Sequence, residues 1–201
     1  MSQTASTRER PIDDTDRMRA GIYRLLARLL ARPADVDLIA LVAGLGGDRS
    51  EMGQAIAALA KAAGDATPEA VQDEYDEVFI GVGRGLLVPY ASYYLTGFLN
   101  DKPLARLRID MERLGIARAE NVVEPEDHVA ALLEMMAGLI EGGFAVPASE
   151  DDQAAFFDAH VVSWMPHFFA DLEKLPQARF HGPVGRVGRL FVEIEKAAFE
   201  M

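Results

Sequence analysis

Apolar residues in this chain recur three or four positions apart through nearly every segment, and nowhere alternate with a period of two for long enough to make a strand. Helix is the only regular element this pattern supports, so the chain is predicted to be all-α. Its 201 residues, 50% apolar and 26% charged, match an ordinary globular composition built on one core. We therefore expect a single-domain helical bundle over residues 13–201, behind a flexible N-terminal segment over residues 1–12.

Local signals place the helices. Asp13, Asp14 and Thr15 cap a first helix that sets Met18, Ile22, Leu25, Leu26 and Leu29 on one face before Pro33 stops it. Shorter helices are expected around residues 37–43 and 50–63, on either side of a turn at Gly44, Gly46 and Gly47. Thr67-Pro68-Glu69 combines a hydroxyl cap with a proline and an acid in the first turn, and opens a helix to Phe79 with Val71, Tyr75, Val78 and Phe79 inward. Gly81, Gly83 and Gly85 break that helix, and Pro89 keeps the residues after it extended. Leu104, Leu107, Met111 and Leu114 mark a helix ended by Gly115, followed by a polar connection where residues 115–124 form a candidate hinge. A helix starting within Glu124 to Asp127 carries Val129, Leu132, Leu133, Met136, Leu139 and Ile140 inward. Another begins among Glu150, Asp151 and Asp152, holds Phe157, Val161, Trp164, Phe168 and Leu172 in register, and kinks or breaks at Pro166. The last, from about Pro183, buries Val184, Val187, Leu190, Phe191 and Ile194.

Composition removes several classes of function. With no cysteine, disulfides, iron–sulfur ligation and thiolate zinc sites are excluded. The net charge of -12 repels nucleic acid and acidic membrane surfaces and favours cationic partners. No apolar run approaches the ~20 residues of a bilayer span, and Met1 to Arg19 lacks the apolar centre of a signal peptide. A cytoplasmic protein with no membrane insertion is the expectation.

Few residues offer chemistry. Gly81-Val82-Gly83-Arg84-Gly85 lacks the preceding strand and the third glycine of a dinucleotide fingerprint, and no Gly-Lys-Ser/Thr follows it as in a P-loop. It reads as a bend between helices, with a nucleotide-binding or GTP-hydrolysing protein using this loop kept as the alternative function. His128, His160, His167 and His181 form no His-Glu-x-x-His pair and no repeated Glu-x-x-His unit, so no metal is expected, and no Gly-x-Ser-x-Gly nucleophile elbow is present. Glu124-Pro125-Glu126-Asp127-His128 stands out: it fits a helix start, and it also sets an imidazole behind a cluster of acids that would raise its pKa or serve a ligand.

Three segments, in order, resemble the TorD/DmsD/NarJ family of redox-enzyme maturation chaperones. Glu74-Tyr75-Asp76-Glu77-Val78-Phe79-Ile80-Gly81-Val82-Gly83 with Pro89-Tyr90-Ala91-Ser92-Tyr93-Tyr94 is similar to the family's Glu-Tyr-x-x-Leu-Phe-x-Gly-Pro-Gly and Pro-x-x-Ser-x-Tyr. Glu124 to His128 matches its Glu-Pro-x-Asp-His box, and Phe157, His160, Trp164 and Phe168 follow its late aromatic helix. Val82 departs from the usual proline.

The resemblance implies a TorD-like helical chaperone, not an enzyme. It would bind the N-terminal twin-arginine signal region of the apo-form of a molybdopterin oxidoreductase, and assist folding and molybdenum cofactor insertion before export. Glu124, Glu126, Asp127 and His128 would contact the peptide, Asp127 through a forked bond to a client arginine, with Tyr75, Phe79, Pro89, Ser92 and Tyr93 as the adjoining wall. No resident cofactor is implied beyond weak GTP binding, and the state is either a monomer or a domain-swapped dimer.

Overall fold

The computed structural model describes residues 12–118 and 123–201. The flexible segment expected over residues 1–12 lies, apart from Ile12, outside the described residues, as do residues 119–122 of the candidate hinge.

The described residues form helices α1 (Asp14–Ala31), α2 (Val36–Ala43), α3 (Glu51–Gly64), α4 (Pro68–Tyr75), α5 (Ala91–Thr96), α6 (Lys102–Arg113), α7 (Val129–Glu141), α8 (Glu150–His160), α9 (Met165–Lys174) and α10 (His181–Phe199). One π-helical turn, Asp76–Ile80, prolongs α4, and the only β pairing among these residues is an isolated antiparallel bridge between Tyr90 and His128. Start signals act as their chemistry dictates: the side chains of Asp13, Asp35, Ser50, Thr67 and Ser149 each accept a backbone N–H of the first turn, satisfying donors the helix leaves unpaired.

Helix α1 packs along α7, and α10 packs on α9 and α3. The core is aromatic at the α8 to α10 end, where Phe156, Phe157, Trp164, Phe168, Phe169 and Phe191 are buried. Two glycines let α10 approach α9. A Cβ on Gly188 would stand 2.2 Å from the Phe169 ring, and one on Gly185 would stand 2.6 Å from the Glu173 amide nitrogen. The break expected at Pro166 is present: α8 ends at His160, and α9 restarts with Pro166 in its first turn.

Four expectations are corrected. Met18 is exposed, because α1 buries Tyr23, whose hydroxyl donates to Glu195 at 3.0 Å, and the inward stripe turns toward that bond. Ile194 is exposed for the same reason: Glu195 is buried and accepts both Tyr23 and Arg19. The chain after Pro89 is extended only at Tyr90 and then forms α5. The helix expected to start within Glu124 to Asp127 starts at Val129, because Glu126 is engaged by Arg108 and Asp127 by Ser92, and His128 is the cap.

Candidate functional site

The Pro89 segment and the Glu124 box lie side by side. Val129 donates its N–H to Pro89 O at 2.8 Å, and Ala91 donates to Asp127 O at 3.0 Å, with Tyr90 and His128 forming the bridge between them. The Tyr90 and His128 rings meet edge to face at 5.1 Å. The third segment packs behind: Trp164 and Phe168 lie 5.4 and 5.9 Å from the Tyr94 ring, and Trp164 Nε1 donates to His160 O. Segments far apart in sequence thus build one structure.

On one side of this bridge opens a cavity of about 740 Å³. Its floor is apolar: Ala31 of α1, Tyr75 of α4, Phe79 and Ile80 at the π turn, Pro89, Met111, Ile116, and Ala130, Ala131 and Met135 of α7. Charged residues stand around it, namely Arg24 and Arg28 of α1, Arg118, Glu124, Glu126 and Glu134. Arg24 pairs with Glu141, whereas Arg28 makes no ion pair among the described residues. Apolar floor and mixed-charge rim suit an extended segment carrying both greasy and charged side chains. The unbranched, polarisable Met111 and Met135 adapt to varied shapes.

Of the box, the structure brings Glu124, Glu126 and His128 to this cavity, in different states. Glu124 is exposed at the rim, where partial desolvation by the neighbouring chain raises its pKa. Glu126 is buried and holds Arg108 through Nε at 3.1 Å and Nη2 at 2.8 Å, with Arg118 at 3.5 Å; despite its burial these bonds and charges hold its pKa below the usual carboxylate value. His128 Nδ1 accepts the Ala130 N–H at 3.2 Å, which leaves the proton of the neutral ring on Nε2. Burial pushes the His128 pKa down to about 4, against the rise expected from its acidic neighbours.

Asp127 does not line this cavity. It is 1% exposed, and its Oδ2 accepts the Ser92 N–H at 2.8 Å, so it closes the N-terminal end of α5 from 35 residues away. Ser92 is fully buried beside it, and Tyr93 lies beneath the Arg84 guanidinium at 5.3 Å, so neither joins the wall formed by Tyr75, Phe79 and Pro89. Tyr75 donates its hydroxyl to Leu30 O at 3.3 Å, and burial, with the charges of Glu124 and Asp76, pushes its pKa up to about 12. Sequence reasoning missed Arg28, Tyr90, Met111, Glu134 and Met135. Tyr90 alone had a local signal, between Pro89 and Ser92; the others come together only through the packing of α1, α6 and α7.

The glycine loop closes upon itself. Gly81 and Gly83 have φ of 63° and 90°, where side chains are strained, and Leu87 donates to Val78 O at 2.9 Å. A Cβ on Gly85 would stand 2.4 Å from the Phe79 carbonyl carbon. Backbone crowding accounts for Gly81 and Gly85. Among the described residues no group of three or more His, Cys, Asp or Glu could hold a metal ion, and no helix is long and apolar enough to cross a membrane.

All-helical architecture is the class defined by this geometry, and known proteins share that fold. A putative redox enzyme maturation protein from Archaeoglobus fulgidus superimposes with a TM-score of 0.59 at 20% identity, over 88% of this chain and 94% of that one. The family model described as nitrate reductase delta subunit matches residues 46–170, and the chain belongs to that family, the TorD/NarJ group. The Chaperone protein TorD of Vibrio cholerae is 27% identical over 61% of this chain, a match that spans only 59% of that relative's length. Its namesake from Vibrio parahaemolyticus is 26% identical over 89% of this chain and 93% of its own.

Proposed function

We propose that this protein is a cytoplasmic chaperone that binds the N-terminal, twin-arginine signal region of a molybdoenzyme catalytic subunit. It holds that subunit through folding and molybdenum cofactor insertion, before export. The observation that carries this reading is the cavity of about 740 Å³ walled by Tyr75, Phe79, Pro89, Glu124, Glu126 and His128, which joins two of the family-like segments into one amphiphilic surface. The names of the relatives, TorD chaperones and a redox enzyme maturation protein, support it.

The proposed chemistry is recognition without turnover. Client arginines meet Glu124 and Glu134 at the rim, while the apolar stretch of the leader lies over Ala131, Met111 and Met135. Glu126 is already matched by Arg108 and Arg118, so its part is to fix the box in place. Co-purification of the tagged protein from its native host, followed by mass spectrometry, tests the proposal. A molybdopterin oxidoreductase subunit should be enriched, and its absence under conditions where that enzyme is expressed would contradict the reading.

A further inference from the structure

Two rings of the groove wall, Tyr75 and Phe79, are backed by a third that does not line the groove. His181, the first residue of α10, is fully buried, with its ring 5.8 Å from that of Tyr75 and 5.3 Å from that of Phe79, the latter edge to face at 84°. Phe180 adds a further ring at 5.1 Å. Inside this aromatic enclosure the imidazole has one polar anchor among the described residues. Nδ1 lies 2.8 Å from Glu74 Oε1, whereas Nε2 is buried with no hydrogen-bond partner. The terminal torsion of a histidine is broad and soft, so that single bond fixes the orientation of the ring.

Glu74, on α4 one residue before Tyr75, is committed to the start of α10. Oε1 accepts the His181 N–H at 2.8 Å and Oε2 the Arg179 N–H at 2.9 Å, while the Phe180 N–H is shared between them at 3.1 and 3.0 Å. Three successive amides thus converge on one carboxylate 105 to 107 residues away. The N-cap residue of α10, Phe180, has no capping side chain, so Glu74 serves in its place, and its charge meets the positive end of the helix dipole. Burial works against that charge, yet the bonds from His181 and Phe180 hold the Glu74 pKa below the usual carboxylate value. The Glu74 side chain is 10% exposed and does not line the groove.

The same stretch of chain supplies the wall. Past Tyr75 the helix widens into the π turn, and the Tyr75 and Phe79 rings stack on each other at 4.9 Å, each touching both His181 and the groove. We infer that Glu74 is a positioning residue for client binding: by holding the start of α10 and the His181 ring, it sets the Tyr75 and Phe79 rings that wall the groove, without touching the client itself. The inference rests on the client-binding reading and extends the site to a helix end outside the groove.

Glu74→Gln is the informative change, because it keeps the volume but turns an NH2 group toward a site built of donors. Aromatic NMR of the full chain with labelled phenylalanine rings reads Phe79 directly, and titration with a twin-arginine leader peptide reads the groove. Gly188→Ala crowds the same helix against Phe169, off the groove, and controls for lost stability alone. Glu74→Gln should shift the Phe79 ring signals in the free protein and weaken the leader at least fivefold. His181→Phe, which keeps a ring and the backbone bonds to Glu74 but drops the Nδ1 bond, should also shift Phe79 and weaken the leader at least threefold. Gly188→Ala should leave the Phe79 signals in place and the leader affinity within twofold of the parent. Phe79 signals that stay still in Glu74→Gln, an unchanged leader affinity, or an equal loss in Gly188→Ala would overturn the positioning role. If the parent binds no leader while Phe79 shifts in Glu74→Gln, the client reading fails, and the part of Glu74 in it, while its hold on the wall stands.

Discussion

Asp127 Oδ2 accepts the backbone N–H of Ser92 at 2.8 Å across 35 residues of sequence, and this bond fastens the first turn of α5 to the box that precedes α7. An acid in this position holds the Pro89 segment against the box.

Replacing Asp127 should therefore cost stability as well as binding. Asp127→Ala leaves the Ser92 amide without its acceptor in a buried site, and a lost cap or buried hydrogen bond is worth about 1–3 kcal/mol. Urea denaturation should show a lowered midpoint with unchanged slope. Asp127→Asn, which keeps an acceptor oxygen, should lose less. Equal stability of Asp127→Ala and the parent would remove the bond from the account.

Acid should weaken the fold through His128. Its pKa is about 4 in the folded chain against 6.5 in the unfolded one, so the unfolded state takes up the proton first as pH falls. The contribution is fully present above about pH 6.5 and is lost between there and about pH 4. The shift corresponds to about 3 kcal/mol at most. His160, lowered by burial, acts in the same direction. Denaturation at pH 7.5, 6 and 5 should show falling stability, with a shallower fall in His128→Gln; identical slopes would exclude His128 as a source.

Small residues between α9 and α10 should not tolerate enlargement. Gly188→Ala would drive a methyl to 2.2 Å from the buried Phe169 ring, and Gly185→Ala would drive one against the Glu173 backbone. Overpacking of this kind costs about 1–3 kcal/mol, with Gly185 the worse because backbone yields less than a ring. Thermal unfolding of both variants should fall below the parent, and an unchanged midpoint for Gly185→Ala would refute the close packing.

Rim acids should set the ionic part of client binding. Glu124→Gln and Glu134→Gln each remove an exposed charge beside the groove, and exposed pairs are worth roughly 0.2–1 kcal/mol. Each change should weaken a basic leader peptide by a few-fold at most, mainly through a slower on-rate, and the double variant should show less salt dependence. A salt response equal to the parent's would place the ionic contacts elsewhere.

Much of this fold was legible in local chemistry. Thr67-Pro68, Asp13 and the acidic run before Phe156 announced helix starts, and all six apolar residues assigned to the core face of α7 are buried. Other features were written in distant contacts. The six-residue α5 is too short to reveal itself by periodicity and is capped by Asp127, far along the chain. The three acids of the box looked like a first helical turn because that is their commonest use, yet Glu126 answers Arg108 and Arg118 and Asp127 answers Ser92. Tyr23 and Glu195 turned the stripes of α1 and α10 through a bond between them, which no window along one helix can show. The site was legible as a set of segments, whereas the turning of Asp127 to Ser92, away from the groove that His128 lines, is set by tertiary contacts.

The groove itself can be tested by filling it. Ala131 is a partly buried residue of α7 that lines the cavity, and Ala131→Trp would occupy the space assigned to the client leader. Calorimetric titration of the parent with a twin-arginine leader peptide at low salt should give saturable binding, and Ala131→Trp, with unchanged helicity, should weaken it at least tenfold. A leader that binds the filled variant as tightly as the parent, or binds neither, would contradict the assignment of this cavity to the client.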